Sequence, residues 1–239
     1  MLIINEEVTI LEYGCRYFQE IRKMDNIREE KIKLSLSAKR NRHQVFKAGE
    51  SQGKSGSFFF FSHDQEFIIK TMFAHEFNVF MKLVPSYYDH LRFNPNSLIA
   101  RIYGVFQVKM DDLVPVYLFL MENTIKPTNT SNIVNIFDLK GSQVNREVPF
   151  TRELINTSTL KDKDFIKMKM IKNYKKEEVI NFNQEDINQL NEIIKKDVGL
   201  FSKFNIMDYS LLLAIERVAP KKDSKVLYDR SQLIAHNLR

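Results

Sequence analysis

The sequence predicts an α+β fold, because segments with strand character and segments with helix character both recur along its 239 residues. Short apolar runs bounded by turn residues predict strands at 58–61, 67–70, 97–108, 114–121, 133–137 and 211–215. Apolar residues spaced three and four apart predict helices at 75–84 and from 184 to about 204. Both kinds of element are therefore expected in one chain.

Length and composition favour a globular protein with one large domain or two lobes that share a cleft. No apolar run approaches the roughly 18–20 residues that a membrane-spanning helix needs. Residues 1–12 lack the basic start and cleavage site of a secretory signal. Cys15 is the single cysteine, which excludes an internal disulfide and a cysteine metal cluster. We expect a reducing compartment, the cytosol or its membrane face.

The positive charge points to a class of partner. The net charge is +6 and the pI is about 9.2. Nucleic acid, anionic lipid and phosphorylated small molecules are all attracted by such a surface, and the same excess is compatible with no anionic partner. Charge alone does not choose among these alternatives.

A small-residue turn lies between two predicted strands and is a candidate phosphate-binding loop. The turn consists of Gly53, Lys54, Ser55, Gly56 and Ser57. Glycines let backbone N–H groups approach phosphate oxygens, and Lys70 at the end of the next strand supplies a charge. A Walker-type loop is disfavoured, because Ala48 stands where its first glycine should be and a strand follows. An ordinary hairpin turn with Lys70 in solvent is the alternative.

The predicted helix at 75–84 is expected to end at Pro85. Glu76, near its start, either pairs with Lys70 or stabilises the first turn through the helix dipole. Farther along, Gly104 predicts a kink or a close approach within the strand 97–108. Residues 122–124 are a polar exit, placed where a connection between two lobes is expected.

The strand at 133–137 leads into a polar cluster, which is a second candidate site. Its residues are Asp138, Leu139, Lys140, Gly141 and Ser142, with Asn145 and Arg146 close behind. The cluster offers a charge pair and exposed backbone donors, although a hairpin with a salt bridge would give similar residues.

Lysines recur between 161 and 176 with apolar residues between them. This pattern is typical of a membrane-surface element, and also of a solvated connecting face. Asn183 is then expected to cap the helix that follows. After that helix, Asp208 lies in an apolar loop before a strand, where it would orient the proton of an attacking hydroxyl or cap the next turn.

Several of these segments together resemble, in order, the catalytic core of the phosphatidylinositol phosphate kinase family. The resemblance extends from about Gln52 to Glu216. It rests on residues 53–57, 67–72, 85–88, 94–96, 103–104, 138–146 and 207–212. The stretches 85–88 and 94–96 are somewhat closer to the branch that acts as phosphatidylinositol 4-phosphate 5-kinases.

The resemblance implies a two-lobed kinase-like fold, with an antiparallel sheet in the N-lobe and mixed helices and strands in the C-lobe. The implied divisions are a helical or linker segment 1–51, an N-lobe 52–122, a C-lobe part 123–216 and a polar tail 217–239. The implied reaction moves the γ-phosphate of ATP, with Mg²⁺, onto a phosphatidylinositol monophosphate to make the 4,5-bisphosphate. The implied location is cytoplasmic, peripheral at the inner face of the plasma membrane or other membranes.

The resemblance also implies residue roles. Residues 53–57 would cover the ATP phosphates and Lys70 would hold them. Asp208 would be the catalytic acid or base, and Lys140 would add positive charge beside the transferred group. Met121, Glu122 and Asn123 would line the hinge beside adenine.

One family feature is absent, because no Ile-Ile-Asp segment with its Mg²⁺-binding acid follows residue 215. The sequence therefore predicts a C-terminally incomplete core, and no metal ligand is assigned. A module that binds nucleotide or anionic lipid without turnover is the alternative function. A nucleic-acid partner is not expected, since no base-reading motif is recognised, and the oligomeric state is not predicted.

Overall fold

The computed structural model describes residues 8–42, 49–50, 57–125, 133–149, 159–174, 182–216 and 233–236. The chain divides into two compact units. The first comprises Met1–Pro95 and Arg101–Asn123, and the second comprises Asn96–Ala100 and Thr124–Arg239. Each unit contains its own antiparallel sheet, so the predicted α+β class is confirmed.

The first unit is built on a six-stranded sheet with the order β1-β5-β6-β4-β3-β2. Its strands are β1 (Val8–Tyr13), β2 (Gly49–Glu50), β3 (Phe58–Phe61), β4 (Phe67–Met72), β5 (Ile102–Met110) and β6 (Val116–Glu122). The predicted strands 58–61 and 67–70 correspond to β3 and β4, which pair across residues 62–66 with Phe59 opposite Lys70. Most of the predicted turn 53–57 lies outside the described residues. The predicted strands 97–108 and 114–121 correspond to β5 and β6, which pair antiparallel with Val108 opposite Val116.

Four helices accompany this sheet: α1 (Cys15–Met24), α2 (Glu29–Ser35), α3 (Ala38–Asn41) and α4 (Ala74–Phe93). Phe18 and Ile21 of α1 are fully buried. Phe80 of α4 makes an edge-to-face contact with Phe119 of β6, with ring centroids 4.8 Å apart. Aromatic packing between helix and sheet therefore forms the core of the first unit.

Helix α4 continues through Pro85, so the prediction that it ends there was wrong. Proline lacks the N–H that would bond to the preceding turn, and this loss usually interrupts a helix. Here the side chains of Val84 and Tyr87, on either side of Pro85, are buried in the core. Their burial favours a continuous helix, while Pro85 itself faces solvent.

The predicted close approach at Gly104 is confirmed. A Cβ atom at this position would lie 2.6 Å from the Phe106 ring. The pairing of β5 with β6 shifts register between Ile102 and Gly104. A bulge of this kind bends the strand, here at the start of β5.

The second unit contains a three-stranded sheet with the order β7-β8-β9. Its elements are β7 (Ile133–Leu139), α5 (Asp162–Tyr174), α6 (Gln184–Lys203), β8 (Ser210–Glu216) and β9 (Leu233–His236). Phe137, Leu160 and Leu213 form its buried core. The Phe165 ring of α5 meets Phe137 edge to face at 5.1 Å.

The start of α6 confirms the predicted cap, since Asn183 Oδ1 accepts a hydrogen bond of 2.8 Å from the Asp186 N–H. Farther along α6, the buried carboxylate of Asp197 binds the segment 96–100, which is distant in the sequence. Asp197 accepts hydrogen bonds from the Ser97 hydroxyl at 2.7 Å and from the Leu98 N–H at 2.8 Å. These contacts explain why residues 96–100 belong to the second unit.

Three strands fall in the segments 1–51 and 217–239, for which the sequence predicted no sheet pairing. β1 and β2 lie within the segment 1–51; β1 pairs with β5 along its whole length, and β2 pairs with β3. β9 lies within the predicted polar tail 217–239 and pairs with β8. Among the described helices, none combines the length and the apolar character needed to cross a membrane.

Candidate active site

Two loops of the second unit meet at one end of its sheet. One loop follows β7 and begins at Lys140, and the other precedes β8 and contains Asp208. Because β7 and β8 are antiparallel neighbours, with Leu139 opposite Leu211, the end of one strand lies beside the start of the other. This pairing brings together two predicted site residues that are 68 positions apart in the sequence.

Lys140 and Asp208 form an ion pair, in which the lysine ammonium donates to Oδ1 of the carboxylate. The two side chains differ in exposure. That of Lys140 is 13% exposed and that of Asp208 is 58% exposed. The pair therefore presents a carboxylate to solvent with a largely buried positive charge behind it.

The backbone of Asp208 adopts the left-handed conformation, with φ of 65°. Residues other than glycine rarely take this conformation, although aspartate tolerates it better than most. Backbone strain of this kind is found at many functional sites. Five other described non-glycine residues share a positive φ: Asn26, Gln65, Asp112, Asn145 and Asn205. The conformation therefore accompanies the place of Asp208 in the site and does not by itself identify it.

A third acid, Asp162, organises the loop that carries Lys140. Its Oδ1 accepts hydrogen bonds from the backbone N–H groups of Lys140 at 3.0 Å and Gly141 at 2.8 Å. Its Oδ2 accepts a bond of 2.8 Å from Nε of Arg146. Gly141 has a positive φ of 70°, a conformation that glycine adopts without strain.

A short parallel bridge places Asp162 beside this loop. Leu160 bridges to Phe137, donating its N–H to the Ile136 carbonyl and accepting from the Asp138 N–H, each at 2.8 Å. Asp162 follows two residues later as the first residue of α5. Residues on parallel neighbouring segments advance together, so Asp162 reaches the level of Lys140.

Asp162 is held in its ionised form. Burial acts to raise the pKa of its carboxyl, but hydrogen bonds from Arg146 and from the Gly141 and Lys140 N–H groups outweigh burial and lower that pKa below its usual value. At neutral pH the loop donors therefore face a full negative charge.

Arg146 links the same acid to the end of β7. Besides Asp162, it donates to the main-chain carbonyl of Asp138, and it lies 3.2 Å from Asp138 Oδ2. The sequence left two interpretations of residues 138–142 open. The predicted charge pair is present, and the described residues 140–149 form no second strand of a hairpin. The N–H groups of Lys140 and Gly141 bond to Asp162, so they are not exposed donors.

The predicted phosphate lysine, Lys70, lies in the first unit on β4. Its ammonium is 5.4 Å from the centroid of the Phe59 ring on the neighbouring strand. Glu76 accepts a hydrogen bond of 2.7 Å from the Phe73 N–H at the start of α4. This contact favours the helix-start interpretation of Glu76. Ser57 is buried, whereas Gly53, Lys54, Ser55 and Gly56 lie outside the described residues.

The predicted hinge residues lie at the end of β6. Met121 is buried in the sheet between Ile68 and Ile102. The Glu122 N–H donates to the Arg101 carbonyl at 2.9 Å. Asn123 is buried and bonds to the β3–β4 turn at two points: its N–H to the Glu66 carbonyl at 3.0 Å and its Nδ2 to the Gln65 carbonyl at 2.7 Å.

The described part of the chain offers no group of three or more His, Cys, Asp or Glu side chains that could hold a metal ion. Asp138 Oδ1 is a carboxylate oxygen with no hydrogen-bond partner among the described residues, but it is buried away from solvent. These residues do not form a metal cage, and we assign no metal ligand to them.

Comparison with known proteins identifies the family. The family model for phosphatidylinositol-4-phosphate 5-kinase matches residues 40–237, most of the chain. The chain belongs to this family. The predicted resemblance is thereby confirmed, and the match includes both loops of the candidate site.

Individual relatives agree with the family match. A phosphatidylinositol 4-phosphate 5-kinase of Plasmodium falciparum is 34% identical over 181 residues, 72% of this chain and 10% of that protein. A probable phosphatidylinositol phosphate kinase of Dictyostelium discoideum is 36% identical over 207 residues, 85% of this chain and 27% of that protein. The type-1 beta phosphatidylinositol 4-phosphate 5-kinase of Homo sapiens is 33% identical over 163 residues, 68% of this chain and 28% of that protein. The chain thus spans less than a third of the length of these relatives.

The sequence analysis did not identify Asp162 as a residue of the candidate site. The segment around it was interpreted through its lysines. The available signal was a pair of acids, Asp162 and Asp164, at the start of a lysine-rich helix. Acids at that position usually stabilise the helix itself, so their position alone did not point to the Lys140 loop.

Proposed function

We propose that the chain supplies the catalytic core of a lipid kinase of the phosphatidylinositol 4-phosphate 5-kinase type. It moves the γ-phosphate of ATP to a phosphatidylinositol monophosphate and makes phosphatidylinositol 4,5-bisphosphate. The family match and the names of the relatives support this substrate class. The single observation that carries the proposal is the ion pair of Lys140 with the exposed carboxylate of Asp208.

Asp208 acts as the general base of this reaction. Its exposed oxygen accepts the proton of the inositol hydroxyl as the hydroxyl oxygen bonds to the γ-phosphorus, and the bond from that phosphorus to the β–γ bridging oxygen breaks to release ADP. Lys140 has two effects. Before the reaction it keeps the Asp208 carboxylate oriented, and during transfer its positive charge stabilises the negative charge of the phosphoryl group.

The first unit binds the nucleotide in this proposal. Residues 53–57 cover the phosphates, Lys70 pairs with them, and Met121 to Asn123 form the hinge beside adenine. Mg²⁺ would neutralise part of the phosphate charge, and none of the described residues is assigned as its ligand.

The two units correspond, in this proposal, to the two lobes of a kinase. The substrate is a membrane lipid, so the protein works in the cytoplasm at an anionic membrane surface. The net charge of +6 supports this location, since positive side chains near an anionic bilayer each contribute about 1 kcal/mol to binding.

The test is transfer of labelled γ-phosphate from Mg-ATP to vesicles by the purified 239-residue chain. Matched vesicles contain phosphatidylinositol 4-phosphate or its 5-phosphate isomer at the same surface density. We expect transfer to the 4-phosphate isomer to be faster. Equal transfer to both isomers, or preference for the 5-phosphate isomer, would contradict the assigned branch.

A module that binds without turnover is the second candidate function. One observation favours it: the described residues include no group of three or more His, Cys, Asp or Glu side chains that could hold a metal ion. In that case the folded chain would bind ATP and anionic vesicles but transfer no phosphate to either isomer. The same vesicle assay, combined with calorimetric titration of Mg-ATP, separates the two functions.

A further inference from the structure

We propose that Asp162 is a positioning residue that holds Lys140 against Asp208. This role rests on the proposed function for its catalytic consequence, while its geometric part stands independently. Asp162 itself does not contact Asp208 in the described hydrogen bonds, and it acts through the backbone of Lys140.

Two consecutive backbone donors converge on one oxygen of Asp162. The N–H groups of Lys140 and Gly141 both point to Asp162 Oδ1. Successive N–H groups that converge in this way form a concave site for an anion. Here a side chain of the same protein fills that site, which fixes the peptide planes on both sides of the Lys140 Cα.

The Asp162 carboxylate is itself held in place on both sides. Asp162 begins α5, which is 13 residues long, and its side chain is only 10% exposed. Its second oxygen is bonded to Arg146, which also binds the Asp138 carbonyl. The loop is therefore held on both sides of Lys140, by Asp162 at the start of α5 and by Arg146.

The loop that Asp162 holds carries the side chain of Lys140. The Lys140 side chain is largely buried and ends on Asp208. A lysine side chain has many rotamers, so its reach to a particular carboxylate depends on where its backbone lies. Release of residues 140 and 141 from Asp162 would let the ammonium move away from Asp208, which would then lose its orienting partner.

Asp164 provides a matched control. It lies in the same first helical turn, and its Oδ2 accepts hydrogen bonds from the Lys161 N–H at 3.0 Å and the Val148 N–H at 3.1 Å. Asp164 thus stabilises the start of the helix, and among the described residues it makes no hydrogen bond to residues 140–141. An effect on the helix alone would appear in Asp164→Asn as well as in Asp162→Asn.

The geometric part is tested without any assay of activity. Amide hydrogen exchange is measured for the peptide that contains residues 138–146, and modification of the Lys140 amine by acetic anhydride is measured by mass spectrometry. In Asp162→Asn we expect the Lys140 and Gly141 amides to exchange about tenfold faster and the Lys140 amine to react faster. In Asp164→Asn both should match the unmodified chain.

The catalytic part is tested by kinetics with the 4-phosphate lipid. We expect Asp162→Asn to lower kcat by about 10- to 100-fold, because a small misplacement of a catalytic group has effects of this size, while KM for ATP changes little. In a Lys140→Met background the same substitution should have an effect of less than about twofold, because the residue through which it acts is gone.

Each result decides a separate point. Unchanged exchange and amine reactivity in Asp162→Asn would overturn the positioning role, and so would a full additional loss in the Lys140→Met background. An inactive unmodified chain would contradict the proposed function, but the exchange and modification data would still decide the geometry. If Asp162→Asn fails to fold, Asp162→Glu retains the charge, displaces the carboxylate by one methylene group and should accelerate exchange at the same two amides.

Discussion

At the scale of single residues, the candidate site consists of one exposed carboxylate and a buried lysine. Asp208 faces solvent, where a substrate hydroxyl can reach it, and Lys140 is shielded behind it. A charge in a shielded position interacts more strongly with a developing negative charge than one surrounded by water. The unequal exposure of the two side chains is therefore part of the proposed chemistry.

The role of Lys140 leads to a direct expectation. Lys140→Met removes the positive charge with little change in volume, so phosphate transfer should fall by about 100- to 1,000-fold. The measurement is the initial rate of γ-phosphate transfer to 4-phosphate vesicles. Lys195→Met is a suitable control, because Lys195 pairs with Glu192 at an exposed position of the same unit. A rate within about twofold of the unmodified chain in Lys140→Met would remove Lys140 from the mechanism.

Asp162 predicts a pH dependence of stability. Its pKa in the folded protein lies below the usual value of 3.8 for an aspartic acid, because hydrogen bonds to the carboxylate outweigh the effect of burial. Its ionised form therefore stabilises the fold fully above about pH 4, and this contribution disappears as the pH falls through the folded-state pKa. We expect Asp162→Asn to lower the free energy of unfolding at pH 7 by about 1–3 kcal/mol. Urea unfolding should show this difference shrinking below pH 4, and a constant difference would contradict the assignment.

Some residues of the candidate site could be predicted from the sequence and others could not. Lys140 and Asp208 were accessible as candidates through the motifs that carry them. Asp162 was not, because its role depends on the bridge between Phe137 and Leu160. A parallel bridge between segments more than 20 residues apart leaves no local periodicity, and the acid at a helix start already had an ordinary explanation.

At the scale of elements, local signals were sufficient where one physical effect dominated. The cap at Asn183 and the close approach at Gly104 each follow from a single residue type and were correctly predicted. The prediction that α4 ends at Pro85 was wrong. The burial of side chains on both sides of Pro85 favours the helix, although proline cannot make the backbone hydrogen bond to the preceding turn. The strand β9 went unpredicted, since four residues in a polar stretch pair only through their neighbour β8.

The proline within α4 gives an expectation for stability. Pro85 is exposed and lies in the helix interior, where alanine is favoured over proline by up to about 3 kcal/mol. Alanine also increases the entropy of the unfolded chain, which offsets part of this gain. We expect Pro85→Ala to raise the free energy of unfolding by about 1–2 kcal/mol in urea titrations. Destabilisation would mean that the proline ring contributes packing or a required bend.

At the scale of the whole molecule, the fold class was predictable and the division of the chain was less so. Strand and helix patterns recur with enough regularity to indicate an α+β protein. The assignment of residues 96–100 to the second unit depends on the contacts of Asp197 with Ser97 and Leu98. A buried acid that bonds to a segment about 100 residues away has no sequence signature, so this division required the structure.

The overall charge gives an expectation for membrane binding. A chain with net charge +6 should bind vesicles that contain anionic lipid and should bind neutral phosphatidylcholine vesicles weakly. The binding should weaken as salt rises, because the Debye length falls from about 10 Å at 0.1 M to 3 Å at 1 M. Co-sedimentation across that range is the measurement. Binding that is insensitive to salt would argue against an electrostatic membrane surface.

The central claim is that Asp208 is the general base of a lipid kinase. The most direct measurement compares γ-phosphate transfer to phosphatidylinositol 4-phosphate vesicles by the unmodified chain and by Asp208→Asn, with Asp111→Asn in an exposed turn as the control. We expect transfer by the unmodified chain and by the control, and a loss of about 100- to 10,000-fold in Asp208→Asn with unchanged binding to the vesicles. Transfer by Asp208→Asn at the rate of the control would contradict the account.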